Sequence, residues 1–433
     1  MRRLVQVTMF VLVGLFVVST AGWAQQATVV VPESVGFSSV KLAGIDKIVD
    51  EAIDNKAVPG AVVLVARYGK IAYFKAYGIA DFGVPLKTDA IFRIASMTKA
   101  VTTVAVLQLF DQGKLSLNDP ISKYIPEFKN PKVAELDAGG EFKYVPANRE
   151  ILIHDLLSMS SGIYSRAGGD DFLNKLADLY KELGLEDEMG PLNMTLEQYA
   201  KIVAKLPLGA QPGTTFHYSN AGANVLGYLV EIVSGQRFDR YLEDNVFKPL
   251  KMTETMFFPT KDQLPRVPPP FLTGTDTKMT TPQPWGRRMV SHTYTTDPNK
   301  KFFNPSGGLH STSEDFFRFS QMLLNKGELD GVRILSSEAV KIMSEPVIKM
   351  TFLGNMWGYM VQIQDAVNPF GQVSLDYLGA EGAWGWIGYW GTKFIVNPKK
   401  DMVFIFMSSI NVFPGILPYQ QRVVQAVNGA MLY

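Results

Sequence analysis

A serine and a lysine three residues apart stand at the start of a long apolar segment. The stretch from Phe92 to Lys99 reads FRIASMTK, and Ser96 and Lys99 lie one turn apart if a helix begins here. A serine at a helix start faces free backbone N–H groups and the positive end of the helix dipole, which favour a developing anion. Burial lowers the pKa of a lysine toward the range in which it can act as a base. The pair could therefore work as a nucleophile and its base without a histidine.

The same spacing occurs a second time and there has a simpler explanation. Ser38 and Lys41 also form a Ser-x-x-Lys, but they open an amphipathic helix, and Ser38 is adequately explained as its N-cap. Short motifs of this kind arise by chance in a chain of this size. Spacing alone leaves Ser96 open between a nucleophile and an ordinary helix start.

A second candidate segment, QPGTTFHYSN, ends with Tyr218 and Asn220 on either side of a serine. A tyrosine hydroxyl whose pKa is lowered by a nearby ammonium can accept the proton of a serine. The Asn220 amide offers both a donor and an acceptor to an acyl substrate. Taken alone, Tyr-Ser-Asn is better explained as a turn followed by a helix N-cap.

A third candidate segment, from Gly379 to Gly391, reads GAEGAWGWIGYWG. Glycines repeated among tryptophans predict an edge strand where a ligand approaches the backbone. Tight packing inside a sheet is the alternative explanation.

The elements that would hold these residues fall into three zones. The stretch from Gly60 to Gly78 predicts a strand hairpin, and the nearly all-apolar stretch from Ser96 to Gln112 predicts a buried helix. From Leu115 to Pro305, helical patterns alternate with Pro- and Gly-rich connectors, without a strong strand pattern. Strand patterns return after Trp357, in WGYMVQI, QVSLDYLG, GTKFIVN and MVFIFMSS, and a final helix is predicted from about Pro418 to Met431.

This order of elements predicts an α/β (α+β) fold. An antiparallel sheet from the N- and C-terminal parts would be flanked by helices and interrupted by a mostly helical inserted domain. We assign residues 25–114 and 301–433 to the sheet domain and residues 115–300 to the inserted domain.

The composition excludes several classes of function. The chain has 433 residues, a formal net charge of +1, 4 His and no Cys. The absence of Cys excludes a thiol nucleophile, a Cys-based zinc site and disulfides, and the neutral charge balance gives no argument for a nucleic-acid partner. Neither Gly-x-Ser-x-Gly nor His-Glu-x-x-His occurs, and the histidines read as packed or isolated side chains. We expect no cofactor and no metal.

The N-terminus has the pattern of an export signal. Arg2 and Arg3 precede an apolar run from Leu4 to about Val18, and small residues follow up to Ala24. The run is short for a membrane span of ~20 residues, so we expect residues 1–24 to be a cleaved signal peptide that leaves no stable membrane span. A retained anchor is the alternative. Both lead to an exported bacterial protein, periplasmic or secreted, and the lack of Cys fits this.

Together the three candidate segments resemble the serine β-lactamase and penicillin-binding-protein superfamily, most closely its class C β-lactamase-like branch, which includes the family VIII carboxylesterases. The resemblance covers most of the chain after the signal region, in ordered segments. These segments are FRIASMTKAVTTVAVLQLFDQGKLSLNDPISKYIPEF, ILIHDLLSMSSGI, PGTTFHYSNAGANVLGYLVEIVSG, NPSGGLHSTSEDFFRF and WGWIGYWGTKFIVNPKKDMVFIFM.

The resemblance implies a role for each matching residue. Ser96 would be the acylated nucleophile, and Lys99 would share and relay its proton. Tyr218 would act as general base and later activate the water, and Asn220 would orient the substrate. The oxyanion hole would consist of the backbone N–H groups of Ser96 and Tyr389.

The third motif departs from the pattern of those members that attack β-lactams or peptides, which usually have Lys-Thr-Gly or His-Thr-Gly. We read Trp386-Ile387-Gly388 at this place, similar to the Trp-Gly-Gly of the esterases, with Ala383-Trp384-Gly385 as a rival placement. Trp386 and Gly388 would then bind substrate. Neither placement supplies a cation for a substrate carboxylate, and Lys393 is too far along the strand to substitute.

The resemblance therefore implies a serine hydrolase whose partner is a small-molecule ester or amide, with small uncharged esters favoured. A β-lactamase, a D-amino-acid peptidase and an acyltransferase are the alternatives within the enzyme class. A penicillin-binding sensor that is acylated without turnover is the alternative from another class.

Overall fold

The computed structural model describes residues 28–164, 171–183, 185, 193–273, 279–280, 300–349, 356–364, 382–411 and 415–432. The predicted signal peptide, the predicted strand QVSLDYLG and His292 lie outside these ranges.

A nine-stranded antiparallel sheet forms the centre of the described part of the chain. Its strands come from the N- and C-terminal parts, which confirms the predicted α/β (α+β) fold with an antiparallel sheet. In spatial order they are Ile348–Lys349, Met356–Trp357, Gln362–Ile363, Trp384–Gly388, Thr392–Asn397, Met402–Met407, Gly60–Arg67, Lys70–Asp81 and Val84–Pro85.

The middle strands of the sheet are buried on both faces, which explains their uninterrupted apolar sequences. Every residue of Gly60–Arg67 and of Met402–Met407 is buried. Because side chains alternate along a strand, Val62 packs into the core on one face and Val63 into the core on the other. Two separate apolar cores therefore lie against this sheet.

Helices cover both faces of the sheet. Gly44–Asp54 and Leu417–Gly429 pack together on one face, and Thr98–Asp111, called the central helix below, lies on the other. The remaining described helices are Ser39–Leu42, Ile153–Leu157, Asp171–Glu182, Leu196–Val203, Asn220–Ser234, Phe238–Leu242, Ser313–Leu324 and Ser337–Met343. Short 3-10 turns span Pro32–Val35, Ala95–Met97, Ile121–Lys123, Pro126–Phe128 and Leu264–Arg266, and a π turn spans Glu243–Phe247. Within the described ranges, no helix combines the length and the apolar character that crossing a bilayer requires.

The central helix is enclosed on all sides, as its apolar sequence predicts. Every residue from Thr98 to Leu109 is buried. The predicted start at Ser96 is replaced by the 3-10 turn Ala95–Met97, which leads directly into the helix. Gly113 follows the helix with a φ of 66°, the left-handed conformation that commonly ends a helix.

The segment WGYMVQI was predicted as one strand, and this prediction is wrong. Met356–Trp357 and Gln362–Ile363 are two strands that pair antiparallel. The chain reverses between them: the Gly358 N–H donates to the Val361 carbonyl at 2.9 Å, and Met360 has a φ of 56°. Gly358 is the one residue here that turn chemistry favours, and the apolar Tyr359, Met360 and Val361 that follow it conceal the turn.

The glycine-rich segment was predicted as an edge strand, and this is also wrong. Trp384–Gly388 lies inside the sheet, between Gln362–Ile363 and Thr392–Asn397. Within the described residues, pairing on the first side stops at Gly385, whereas pairing on the second side continues to Gly388. In the described part of the sheet, the far end of this strand therefore pairs with a neighbouring strand on one side only.

A hairpin in the region predicted to be helical was missed. Lys132–Leu136 pairs with Phe142–Pro146, and Asp137 closes the turn by accepting hydrogen bonds from the backbone of Gly139 at 2.8 Å and Glu141 at 3.0 Å. Most of its residues are not buried, so its hydrophobic alternation is weak. The turn sequence Asp-Ala-Gly-Gly was the signal that could have revealed it. Further two-residue pairs join Phe92–Arg93 to His310–Ser311, Leu272–Thr273 to Met279–Thr280 and Glu328–Leu329 to Val332–Arg333.

Candidate active site

Ser96 lies in a tight turn that paired backbone segments hold in place. It belongs to the 3-10 turn Ala95–Met97, where Ala95 has a φ of 44°. A non-glycine residue in the left-handed region costs about 1–2 kcal/mol. Phe92–Arg93, just before the turn, pairs with His310–Ser311, and this pairing helps to maintain the strained conformation.

Lys99 brings three oxygen atoms together around its ammonium group. Its Nζ donates to Ser96 Oγ at 3.2 Å, to Asn220 Oδ1 at 2.7 Å and to the Ser306 carbonyl at 2.7 Å. The side chain is fully buried. A buried charge is tolerated when hydrogen bonds replace its water shell, and these three oxygens provide that replacement.

The Ser306 carbonyl is a contact that sequence reasoning missed. Asn304 Oδ1 accepts from the Ser306 N–H at 2.8 Å, and Thr102 Oγ1 donates to the Pro305 carbonyl at 2.7 Å. These bonds fix the turn that presents the carbonyl to Lys99. The Pro-Ser-Gly-Gly stretch marks a turn, but a backbone carbonyl leaves no side-chain signature in a sequence.

Tyr218 and Asn220 reach Lys99 from the start of one helix. Asn220 Oδ1 accepts from Lys99, and the centre of the Tyr218 ring lies 4.7 Å from Lys99 Nζ. Ser219, between them, is the N-cap of the helix that begins at Asn220. The alternative explanation of Tyr-Ser-Asn as a helix N-cap is therefore confirmed. It is compatible with a place in the site, because the cap at Ser219 holds Tyr218 and Asn220 next to Lys99.

Two tryptophans border Tyr218. Trp386 Nε1 donates to Tyr218 Oη at 3.2 Å. The Trp386 ring meets Trp357 edge to face, with centroids 4.6 Å apart, and the Trp357 and Tyr218 centroids lie 6.2 Å apart. Both tryptophans are buried. Trp357 was not among the predicted residues, since a tryptophan inside an apolar run predicts only core packing.

Gly388 allows the strand Trp384–Gly388 to lie against the turn before Ser96. The position that a side chain of residue 388 would occupy is filled by the Ile94 carbonyl and the Thr392 hydroxyl. Thr392 Oγ1 also donates to that carbonyl at 3.2 Å. This end of the strand therefore requires a glycine for close backbone approach.

The strand end that carries Trp386 and Gly388 is thus the part that contacts Tyr218 and the Ser96 turn. This geometry favours Trp386-Ile387-Gly388 over the rival placement three residues earlier.

Tyr389 follows directly, with a side chain that is 39% exposed and a pKa that burial raises. Its predicted oxyanion role concerns the backbone N–H and stays a prediction, as do the chemical roles of the other site residues.

Lys393 faces away from the site. It pairs with Ile387 and is fully buried. Because side chains alternate, Phe394 packs into the core on the Ser96 side, whereas Lys393 points with Ile395 to the opposite face of the sheet. The orientation agrees with the expectation that this lysine cannot replace the missing cation.

Ser38, the second serine with this spacing, is an N-cap as predicted. Its Oγ accepts a hydrogen bond from the Lys41 backbone N–H at 3.3 Å. The bond involves the backbone of the lysine and not its ammonium, in contrast to the bond between Lys99 and Ser96.

The described histidines make packing and hydrogen-bond contacts, as expected. His154 Nδ1 is 2.6 Å from Tyr359 Oη, and His217 stacks on Tyr164 with ring centroids 3.4 Å apart. His310 is buried against a backbone carbonyl, and burial lowers its pKa to about 3. In the part of the chain that the structure describes, no group of three or more His, Asp or Glu side chains could hold a metal ion.

The model of the β-lactamase family matches residues 45–427 of this sequence. The chain belongs to the β-lactamase family. It is a β-lactamase-fold serine hydrolase of the serine β-lactamase and penicillin-binding-protein superfamily, which confirms the resemblance found in the sequence.

Known relatives include proteins of more than one kind. The chain is 31% identical to Protein Rv1367c of Mycobacterium tuberculosis over 379 residues, which cover 85% of this chain and 90% of that protein. It is 33% identical to Esterase EstB of Burkholderia gladioli over 240 residues, 55% of this chain and 57% of that one. The solved structure of EstCE1, described as a hydrolase with promiscuous acyltransferase activity, aligns with a TM-score of 0.71 at 23% identity, covering 89% of this chain and 99% of that one. This last likeness shows a common fold.

Proposed function

We propose that this protein is a carboxylesterase that hydrolyses small uncharged esters through an acyl-enzyme on Ser96. One observation carries the proposal. A neutral indole, Trp386, whose N–H donates to Tyr218 Oη at 3.2 Å, occupies the strand from which related enzymes with charged substrates present a cation. Lys393 of the next strand points to the other face of the sheet. A substrate carboxylate would find no positive partner on this strand, whereas an ester needs none.

In the acylation half of the reaction, Ser96 Oγ attacks the ester carbonyl carbon and its proton passes to the Tyr218–Lys99 pair. The distance of 3.2 Å from Lys99 Nζ to Ser96 Oγ supports this transfer. The backbone N–H groups of Ser96 and Tyr389 bind the oxyanion, and donors of this kind typically contribute about 3–4 kcal/mol each. The C–O bond between the tetrahedral carbon and the leaving alcohol then breaks, and the alcohol oxygen takes the proton from the Tyr218–Lys99 pair.

In the deacylation half, water attacks the acyl carbonyl and gives a proton to Tyr218. The C–O bond between the acyl carbon and Ser96 Oγ then breaks. Ser96 Oγ regains a proton from the Tyr218–Lys99 pair, and the carboxylic acid is released. Because Asn220 Oδ1 accepts from Lys99 at 2.7 Å, the NH2 group of Asn220 is the side of the amide that offers donors to the acyl oxygen.

Export is part of the same proposal. The charged start, the apolar run and the small residues up to Ala24 support a signal peptide. The enzyme would then work in the periplasm or outside the cell, on esters present there.

The test compares the parent, Ser96→Ala and Ser38→Ala on p-nitrophenyl butyrate. We expect sustained turnover by the parent, a loss of more than about 10³-fold in Ser96→Ala, and retained turnover in Ser38→Ala, which removes a serine with the same spacing to a lysine. Equal turnover by Ser96→Ala and the parent would contradict the site.

The same assay separates the alternatives. Faster hydrolysis of a cephalosporin than of the ester would support a β-lactamase, and cleavage of a D-alanyl peptide would support a peptidase. A single stoichiometric burst without further release would support a sensor that is acylated and does not turn over.

A further inference from the structure

The indole of Trp386 has a defined hydrogen-bond partner inside the site. Its Nε1 lies 3.2 Å from Tyr218 Oη, and its ring packs against the Tyr218 ring with centroids 5.6 Å apart. The side chain is 5% exposed. An indole N–H can only donate, so Tyr218 Oη has to be the acceptor of this bond.

A donor aimed at a phenol oxygen acts more strongly on the ionised form than on the neutral form. Hydrogen bonding to the charged state favours that state, and the effect is larger where water is excluded. The ammonium of Lys99, 4.7 Å from the centre of the Tyr218 ring, adds a positive charge close to the same phenol. Both contacts favour a Tyr218 that gives up its proton readily and can take one from Ser96.

We propose that Trp386 is a positioning residue for the general base: its N–H holds Tyr218 Oη in place and stabilises the phenolate without adding a charge to the site. The inference rests on the proposed role of Tyr218 in hydrolysis. It assigns the third-motif residue a function in proton transfer, beyond the substrate contact that the sequence predicted. It also explains how this strand can lack a cation and still support the base.

Trp357 provides a matched control. It is fully buried and meets the Trp386 ring at 4.6 Å and the Tyr218 ring at 6.2 Å. Its Nε1 has no hydrogen-bond partner among the described residues. Trp357→Phe therefore removes an indole N–H next to the same rings without removing the donor to Tyr218, whereas Trp386→Phe removes that donor and keeps an aromatic ring.

The experiment follows the rate at which a fluorophosphonate labels Ser96 as the pH is raised through the neutral and alkaline range. In Trp386→Phe we expect the midpoint of the rise to move up by about one pH unit, the size expected for a hydrogen bond to a charged group, with the rate recovering at high pH. In Trp357→Phe we expect the labelling rate to rise with the same pH midpoint as in the parent. Thermal unfolding of each variant verifies that it is folded.

Two outcomes would overturn the inference. One is a labelling rate in Trp386→Phe that is reduced equally at every pH, and the other is the same shift of the pH midpoint in Trp386→Phe and Trp357→Phe. Either outcome would mean that only the packing of the rings matters. Ester turnover is measured in parallel to separate the two proposals. If the parent is labelled at Ser96 but does not turn over esters, the proposed esterase function fails, and the labelling profiles still decide the role of Trp386.

Discussion

Lys99 is a buried cation, and its neighbours explain how the fold accommodates it. Moving an ammonium out of water costs several kcal/mol when nothing replaces the water. Asn220 Oδ1 and the Ser306 carbonyl, each 2.7 Å from Nζ, replace it. These two bonds hold the Lys99 Nζ next to Tyr218 while it also donates to Ser96 Oγ. We expect the proton relay to depend on these two acceptors as much as on the lysine itself.

At this scale the sequence predicted the side chains and not their backbone partners. Ser96, Lys99, Tyr218 and Asn220 were predicted together because serine, lysine and tyrosine at these spacings match a known pattern. The Ser306 carbonyl was not, since every residue has one and only the fold decides where it points. The sequence likewise did not predict that the Trp386 N–H points at Tyr218 Oη, because this depends on how the strand Trp384–Gly388 packs against Tyr218 in the fold.

Asp315 is a buried carboxyl whose effect on stability depends on pH. It accepts from the Glu254 N–H at 2.7 Å and from Thr255 Oγ1 at 2.8 Å, yet burial raises its pKa from 3.8 to about 6. Between these values the folded state binds the proton more tightly than the unfolded chain does. Its contribution to the free energy of unfolding is therefore fully present below about pH 4 and is lost as the pH rises through about 6.

Asp315→Asn should remove this dependence while keeping an oxygen acceptor. Relative to the parent, the free energy of unfolding of the variant should rise by roughly 3 kcal/mol between about pH 4 and about pH 7. Urea unfolding at a series of pH values measures it. Asp262→Asn, at an exposed position, controls for the loss of one negative charge. If the parent and Asp315→Asn gave parallel curves, the account of Asp315 would be wrong.

At the scale of elements, the site depends on how closely the strand Trp384–Gly388 approaches the Ser96 turn. A methyl group at residue 388 would collide with the Ile94 carbonyl and the Thr392 hydroxyl. Neither the strand nor the turn can move freely, because each is paired to a neighbouring strand. A small side chain here should therefore displace the predicted oxyanion donor of Tyr389 from Ser96.

Gly388→Ala should lower kcat/KM for the ester by about 100-fold, the loss that a misplacement of about 1 Å can cause. Gly44→Ala is the matched control, because a side chain at Gly44 meets nothing within 4 Å. The two variants are compared by steady-state kinetics and thermal unfolding. Full activity in Gly388→Ala would show that this contact does not set the site geometry.

Helix starts were predicted better than strand neighbours. Ser38 caps its helix through its own side chain, and capping residues are visible in a sequence. Strand pairing is not local: the pattern around Trp386 predicted a strand, but not that Gln362–Ile363 would lie beside it. The turn at Met360 was missed for the same reason, since tertiary contacts impose it against the preference of the residue.

At the scale of the whole molecule, the sheet separates the site from a second core on its other face. The helices Gly44–Asp54 and Leu417–Gly429 cover that second core. Val427, on the second of these helices, is fully buried there. Changes in this core should alter stability without altering the chemistry.

Val427→Ala should lower the free energy of unfolding by roughly 2 kcal/mol through lost burial, with kcat of the folded enzyme unchanged. Arg422→Ala, on the same helix, is the control. Arg422 makes an exposed ion pair with Glu51, N to O 2.7 Å, and such pairs contribute less than about 1 kcal/mol. Denaturant unfolding and ester kinetics measure both variants. A fall in kcat for Val427→Ala would mean that the two cores are coupled.

The overall architecture was predictable because both chain ends carry strongly apolar strand patterns and the middle does not. Buried strands such as Gly60–Arg67 are apolar throughout, and this signal is strong in a single sequence. The hairpin Lys132–Leu136 with Phe142–Pro146 was missed because its strands are largely exposed, so burial imposes no clear alternation on them. The predicted division into a sheet domain and an inserted domain stays a prediction.

The acyl-enzyme on Ser96 is the central claim, and it is tested most directly by trapping the intermediate. The protein is mixed with p-nitrophenyl butyrate, quenched in acid during turnover, digested, and mapped by mass spectrometry. We predict a butyryl group on Ser96 in the peptide containing FRIASMTK, and no such adduct in Ser96→Ala. Sustained turnover with the acyl group on another residue, or with equal adduct in Ser96→Ala, would contradict the account.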